Sequence, residues 1–168
     1  MPNIYLVGFM ATGKTETAKL LARRLSRTFL DMDEMIVSRE KMPIAKIFES
    51  RGEPYFRKLE KEVVLEISRK DSLVVACGGG TFVDPENIAL LKKSGTVICL
   101  TSKPETILRR TQSTSQRPLL NVPDPEGKIE ELISKRRSAY AVAHHIVDAD
   151  QLTVEETAKA VEKLLKLK

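Results

Sequence analysis

Short apolar runs rich in β-branched residues recur along the chain: "NIYLVG" from Asn3, "TFLDMD" from Thr28, "SLVVACG" from Ser72, "GTVICLT" from Gly95 and "HHIVDAD" from His144. Each is separated from the next by a longer segment in which apolar positions return with helical period. Strands alternating with helices predict an α/β fold, a five-stranded parallel sheet sandwiched by helices with right-handed crossovers. The helices are predicted over 14–26, 34–50, 54–70, 85–94, 104–111, 125–143 and 153–167, with Pro85, Pro104 and Pro125 near starts, where a missing amide hydrogen does least harm. The polar stretch "TQSTSQRPLLNVPDP", Thr111 to Pro125, breaks this rhythm and reads as a mobile loop. Ligands of such sheets gather at the carboxyl ends of the strands, so each chemical motif is expected to follow a strand.

The chain of 168 residues reads as one domain, 1–168, large enough to bury a core without disulfides or structural metal. Its formal net charge of +5 suits an anionic small molecule as readily as a polyanion. Nucleic acid is set aside because the basic residues are spread along the chain and five Phe and three Tyr offer few stacking platforms. Cys77 and Cys99 lie in separate apolar runs and form no CxxC pair, as expected of reduced core thiols. No apolar run approaches the roughly 20 residues that span a bilayer. "MPNIYLVGF" also lacks the basic start and cleavage site of a signal peptide, so the expectation is a cytoplasmic protein with no membrane partner.

"GFMATGKT", Gly8 to Thr15, satisfies GxxxxGK[ST] between an apolar strand and a helix. Its glycines let the backbone curl so that amides converge on the positive end of the following helix, a nest suited to phosphate. Lys14 can reach β and γ phosphates as a point charge, and the Thr15 hydroxyl can take one position on Mg²⁺. The bland alternative is a Gly-containing turn with a solvated lysine. The motif favours ATP or GTP held by Met10, Ala11, Thr12, Gly13, Lys14, Thr15 and Glu16.

The second strand ends in "DMDE". If Asp31 and Asp33 stay extended, their side chains point the same way, one to hold Mg²⁺ through water and one to take a proton from an attacking hydroxyl; equally, acids near a helix start are often caps. "CGGG" ends the third strand, and Gly78, Gly79 and Gly80 make sense where backbone packs against a ligand, or as an irregular turn. Arg57 in "EPYFRKLEKE" and Arg136 in "SKRRSAY" could grip one carboxylate if they converge. Arg117, in "SQRPLL", could close over the phosphates. Each arginine could also simply be solvated surface.

The ordered set "GFMATGKT", "DMDE", "FRKLE", "ACGGG", "RRTQSTSQRPLL" and "KRRSAY" resembles the shikimate kinases over nearly the whole chain. The resemblance implies a P-loop fold of the nucleoside-monophosphate-kinase type and transfer of the ATP γ-phosphate to the 3-hydroxyl of shikimate, on the route to chorismate and aromatic amino acids. It also implies a monomer with Mg²⁺ as cofactor. By the same resemblance Asp33 contacts the substrate hydroxyls and acts as base, Asp31 lies near Mg²⁺ through water, and Arg57, Arg136 and Gly78 to Gly80 bind shikimate. Arg117 is the lid arginine, catalytic with Lys14, and Arg110 lies against adenine; the lid spans about 111–124 and the substrate-binding helices about 34–60.

Ala11 departs from the pattern, since many relatives carry glycine there. "AVAHHIVDADQLTVEE" departs too, so the contacts around Asp150 to Thr153 are the weakest part of the match; His144 and His145 read as strand-entry residues. Two rivals stand beside this reading: a kinase for another polyol acid such as gluconate, and a nucleotide-binding regulator that has lost catalysis.

Overall fold

The computed structural model describes residues 1–112 and 118–166. In chain order come β1 (Asn3–Val7), α1 (Lys14–Arg24), β2 (Thr28–Asp31), α2 (Met32–Glu40), α3 (Ile44–Ile67), β3 (Leu73–Ala76) and α4 (Pro85–Ser94). β4 (Gly95–Thr101), α5 (Pro104–Thr111), α6 (Pro125–Ala141), β5 (His145–Asp148) and α7 (Val154–Lys166) follow, with short 3₁₀ turns at Thr81–Val83 and Pro118–Leu120. The five strands form one sheet in the order β2-β3-β1-β4-β5, every pair parallel.

The two-residue period of the strands sorts their side chains between two cores. Ile4 and Leu6 of β1 join Val74 and Ile98 against Ala18, Leu21 and Val161 of α1 and α7. Tyr5 and Val7, pointing the other way, join Val75 and Val97 against Ile36, Val63, Leu91 and Ile129 of the remaining layer. Both faces of the central strands are therefore dry, which is why their sequences run as continuous apolar stretches. Burial pushes the Cys77 thiol up, and the Cys99 thiol up to about 11, as befits core cysteines.

Pro85 and Pro125 follow capping aspartates: Asp84 accepts from the amides of Glu86 and Asn87, and Asp124 from that of Gly127. At the amino end of the sheet, Asn3 donates to Ile67 O and Lys70 O and accepts from Leu73 N, pinning the end of α3 to β1 and β3. His144 pairs with Val97 at the entry to β5, its Nδ1 accepting from Val97 N and its own amide donating to Val97 O.

The helix expected over 34–50 is two pieces. Lys41 turns left-handed at φ 54° and Pro43 precedes the next helix, so α2 stops at Glu40 and α3 starts at Ile44. α3 then runs through the expected gap to Ile67, kinked at Gly52 (φ 79°, ψ 170°), two residues before Pro54. Among the described residues no helix is long and apolar enough to cross a membrane.

Candidate active site

Three strand ends meet one cleft. After β1 the chain curls through residues 8–13 into α1, whose N-cap, Gly13, sits at φ 89° and offers no side-chain cap. A residue with Cβ is strained at that angle, and the uncapped amides of the first turn face outward as an anion site. The cleft, about 530 Å³, is lined by Met10 through Thr17 with Asp31, Asp33, Gly79 and Arg110. Lys14, 9% exposed, donates from Nζ to Phe9 O at 2.6 Å, so its charge is held inside the loop. Ala11 adopts φ 59°, and its carbonyl accepts from Arg110 Nη1 at 3.0 Å.

Leu152, Thr153 and Val154 border the same cleft. Their loop is tied to the start of α5 by Asp150, whose Oδ1 accepts from Lys103 N at 2.9 Å. That backbone bond, with Gln151 and Thr106 as further donors, holds the Asp150 carboxyl down at about 2.

The pair after β2 is arranged differently from the extended geometry expected. Asp31 ends the strand and caps α2, accepting from the amides of Asp33 and Glu34, so Asp33 is already in the first helical turn. Local amides at the strand end favour the helix over a continued strand. Both carboxylates still border the cleft, because the free oxygen of Asp31 turns to Thr15, whose hydroxyl donates to Oδ2 at 2.9 Å.

Beside the phosphate loop lies a second hollow bordered by Asp33, Arg57, Gly79, Gly80 and Arg136, with Phe48 and Phe56 as an apolar wall. Met10, Asp33 and Gly79 belong to both hollows, so the two are adjoining parts of one site. Arg57 on α3 donates to Glu60 Oε2 at 2.5 Å and to Glu53 Oε1 at 2.9 Å. Burial opposes its charge, but Glu60 and Glu53 outweigh this and hold its pKa above the ordinary arginine value. Arg136 on α6, 6% exposed, lies with its guanidinium carbon 5.3 Å from the centre of the Phe9 ring and donates to Gly79 O at 3.0 Å. The glycine turn has no room for side chains: a Cβ on Gly80 would stand 2.3 Å from Arg57 Nη1, and one on Gly78 would stand 2.7 Å from Glu60 Oε1.

Two contributors escaped the sequence reading. Glu60, 2% exposed, accepts from Thr81 Oγ1 at 2.7 Å as well as from Arg57, which joins α3 to the glycine turn. Tyr140 reaches Gly79 O from α6. Only the spacing Arg57-x-x-Glu60 hinted at the first, and it reads equally as a solvated pair. Arg117 and residues 113–116 of the expected lid lie outside the described residues.

A phosphate loop facing an acid pair and an arginine-lined hollow, on this sheet order, defines a P-loop kinase of the nucleoside-monophosphate-kinase type. The family model for shikimate kinase matches residues 10–166. The chain belongs to the shikimate kinase family, which makes it a kinase and implies a nucleotide co-substrate. It is 45% identical over 161 residues to the shikimate kinase of Caldanaerobacter subterraneus subsp. tengcongensis, covering 96% of this chain and 94% of that one. With the Thermus thermophilus shikimate kinase it shares 43% over 163 residues, 96% of this chain and 89% of the relative. The structure of shikimate kinase from Acinetobacter baumannii in complex with shikimate superposes with a TM-score of 0.96 at 38% identity, covering 99% and 94% of the two chains. A gluconokinase from Sinorhizobium meliloti, TM-score 0.63 at 14% identity over 99% and 93%, shares the fold alone.

Proposed function

We propose that this protein is a shikimate kinase, transferring the γ-phosphate of ATP to the 3-hydroxyl of shikimate to give shikimate 3-phosphate and ADP on the route to chorismate. The observation that carries the reading is the convergence of Arg57, Arg136 and Asp33 on one hollow that adjoins the phosphate loop. Two guanidiniums suit a ring carboxylate, the phenylalanine wall suits the ring, and Asp33 stands where a hydroxyl would meet the nucleotide.

Phosphoryl transfer asks the protein for position and charge more than for covalent chemistry. Residues Met10 to Glu16 would hold the triphosphate on loop amides and Lys14, with Arg110 at the adenine side. Asp33 would accept the proton of the attacking hydroxyl while Arg57, Arg136 and the Gly78 to Gly80 turn keep the acid in line. Arg117 would bring positive charge to the transferring group as lid arginine and, with the lid at about 111–124, keep water out.

Thr15 and Asp31 fit Mg²⁺: a hydroxyl and a carboxylate oxygen 2.9 Å apart are hard donors at the mouth of the cleft, Asp31 acting through water. Bound there, the ion supplies charge neutralisation on the phosphate oxygens. We read residues 1–168 as a single kinase domain, working as a cytoplasmic monomer on small molecules, with the substrate-binding helices at about 34–60.

The test is ADP release from MgATP with shikimate or gluconate as acceptor. Release with shikimate and none with gluconate is expected. Gluconate-dependent release would make it a different polyol-acid kinase, and nucleotide binding without acceptor-dependent turnover would make it a regulator. Asp33→Asn is expected to abolish release while ATP affinity stays nearly intact; wild-type turnover would remove Asp33 from the base role.

A further inference from the structure

α6 presents Arg136 and Tyr140, one turn apart, to a single oxygen. Arg136 Nη1 donates to Gly79 O at 3.0 Å and Tyr140 OH donates to the same atom at 2.7 Å. A carbonyl oxygen has two lone pairs and can hold both. The donors differ in what else they can do. Arg136 keeps further N–H groups in the acid hollow, whereas the Tyr140 hydroxyl has one proton to give. Burial raises the Tyr140 pKa to about 12, so this proton stays in place at working pH.

The carbonyl of Gly79 and the amide of Gly80 belong to one planar peptide, and no cis bond occurs among the described residues, so the two groups point in opposite directions. Drawing the carbonyl toward α6 therefore aims the Gly80 amide away from α6. Gly80 borders the acid hollow with Arg57 close against it. Between glycines that peptide could otherwise rotate at little cost.

We propose that Tyr140 is a positioning residue for the acceptor: its hydroxyl holds the Gly79–Gly80 peptide so that the Gly80 amide faces the acid hollow, which frees Arg136 to turn its guanidinium to the bound acid. The inference rests on the shikimate reading given above. It makes the second anchor on Gly79 a requirement of acceptor binding, not of nucleotide binding or of the fold.

The test is Tyr140→Phe in the full chain, with shikimate and ATP varied separately and thermal unfolding recorded alongside. The KM for shikimate is expected to rise about tenfold, the loss of one oriented hydrogen bond, while kcat and the KM for ATP stay within about twofold. A lowered melting temperature with an unchanged KM for shikimate would mean a structural hydroxyl only and would overturn the proposal. Should the variant not fold, wild-type protein labelled with ¹⁵N-glycine provides the second measurement. Shikimate should shift the Gly80 amide resonance, and an unmoved resonance at saturation would overturn the proposal. Wild-type enzyme that releases no ADP with shikimate would sink the functional reading and this inference with it, whereas normal wild-type turnover with an unaltered Tyr140→Phe variant sinks the inference alone.

Discussion

Thr15 in the first turn of α1 and Asp31 at the end of β2 meet across 2.9 Å, and the same Asp31 carboxylate spends its other oxygen on the amides of Asp33 and Glu34. One side chain thus starts α2 and reaches the Thr15 hydroxyl at the position proposed for Mg²⁺. Asp31→Asn separates the two duties. Asparagine caps a helix about as well as aspartate, so unfolding free energy should change by less than about 0.5 kcal/mol. The lost charge should raise the Mg²⁺ concentration for half-maximal rate about tenfold. Asp31→Ala should lose the cap as well, about 1 kcal/mol. A Mg²⁺ titration at fixed ATP together with urea unfolding checks both; an unchanged Mg²⁺ requirement would take Asp31 out of the metal site.

The dual role of Asp31 also marks what could be read in the chain and what could not. The strands and the phosphate loop were legible because they are local: a β-branched run buried on both faces, or a GxxxxGK[ST] spacing, carries its own signal. The break between α2 and α3 was not, since Lys41 takes a left-handed angle usually signalled by glycine. Nor could Asp33 be placed, because cap and strand extension compete for the same four residues. Glu60 and Tyr140 stayed hidden for another reason. Their meaning lies in partners far along the chain, Thr81 and Gly79, and a glutamate three residues from an arginine looks the same whether solvated or buried.

Ala11, at φ 59°, carries a strain that glycine would not. The left-handed angle costs a residue with Cβ roughly 1–2 kcal/mol, and glycine gives back about 0.5–1 kcal/mol through a freer unfolded chain. Ala11→Gly should therefore stabilise the fold by about 0.5 kcal/mol. It should also loosen the loop that Arg110 holds and weaken ATP binding about twofold. Denaturant unfolding and calorimetry read the two effects, and a destabilised variant would contradict the strain.

Glu60 accepts from Arg57 and from Thr81 in a setting almost closed to water. Glu60→Ala takes from Arg57 the more buried of its two carboxylate partners, leaving Glu53, and takes from the Thr81 hydroxyl its carboxylate acceptor. Arg57 is still 28% exposed, so the expected loss is about 2–3 kcal/mol, below that of a fully buried pair. Glu60→Gln keeps an oxygen for Arg57 and turns its amide to the Thr81 hydroxyl, which can accept instead of donate, and should cost about 1 kcal/mol. Equal losses in the two variants, measured by urea unfolding, would show that the charge, not the hydrogen bonding, carries the effect.

Asp150 links the rim of the cleft formed by Leu152, Thr153 and Val154 to acid stability. Its oxygens accept from Lys103 N and from Gln151 Nε2 at 2.8 Å, so the loop before α7 is fastened to the loop before α5 by a carboxylate that must stay ionised to bind well. A free aspartate titrates near about 3.9, and in the fold this one is held down at about 2. The depressed value means that the unfolded chain takes up the proton first as pH falls. The stabilisation from ionised Asp150 is therefore whole above the unfolded value, shrinks as pH drops between about 4 and 2, and is gone below both. Asp150→Asn has no carboxylate to take up that proton. Urea unfolding of both proteins at a series of pH values should give a stability difference that is flat from neutral pH down to about 5 and then closes toward about 2. A difference that stayed constant through that acid window would mean that the fastening is made by shape alone and that the charge on Asp150 contributes nothing to it.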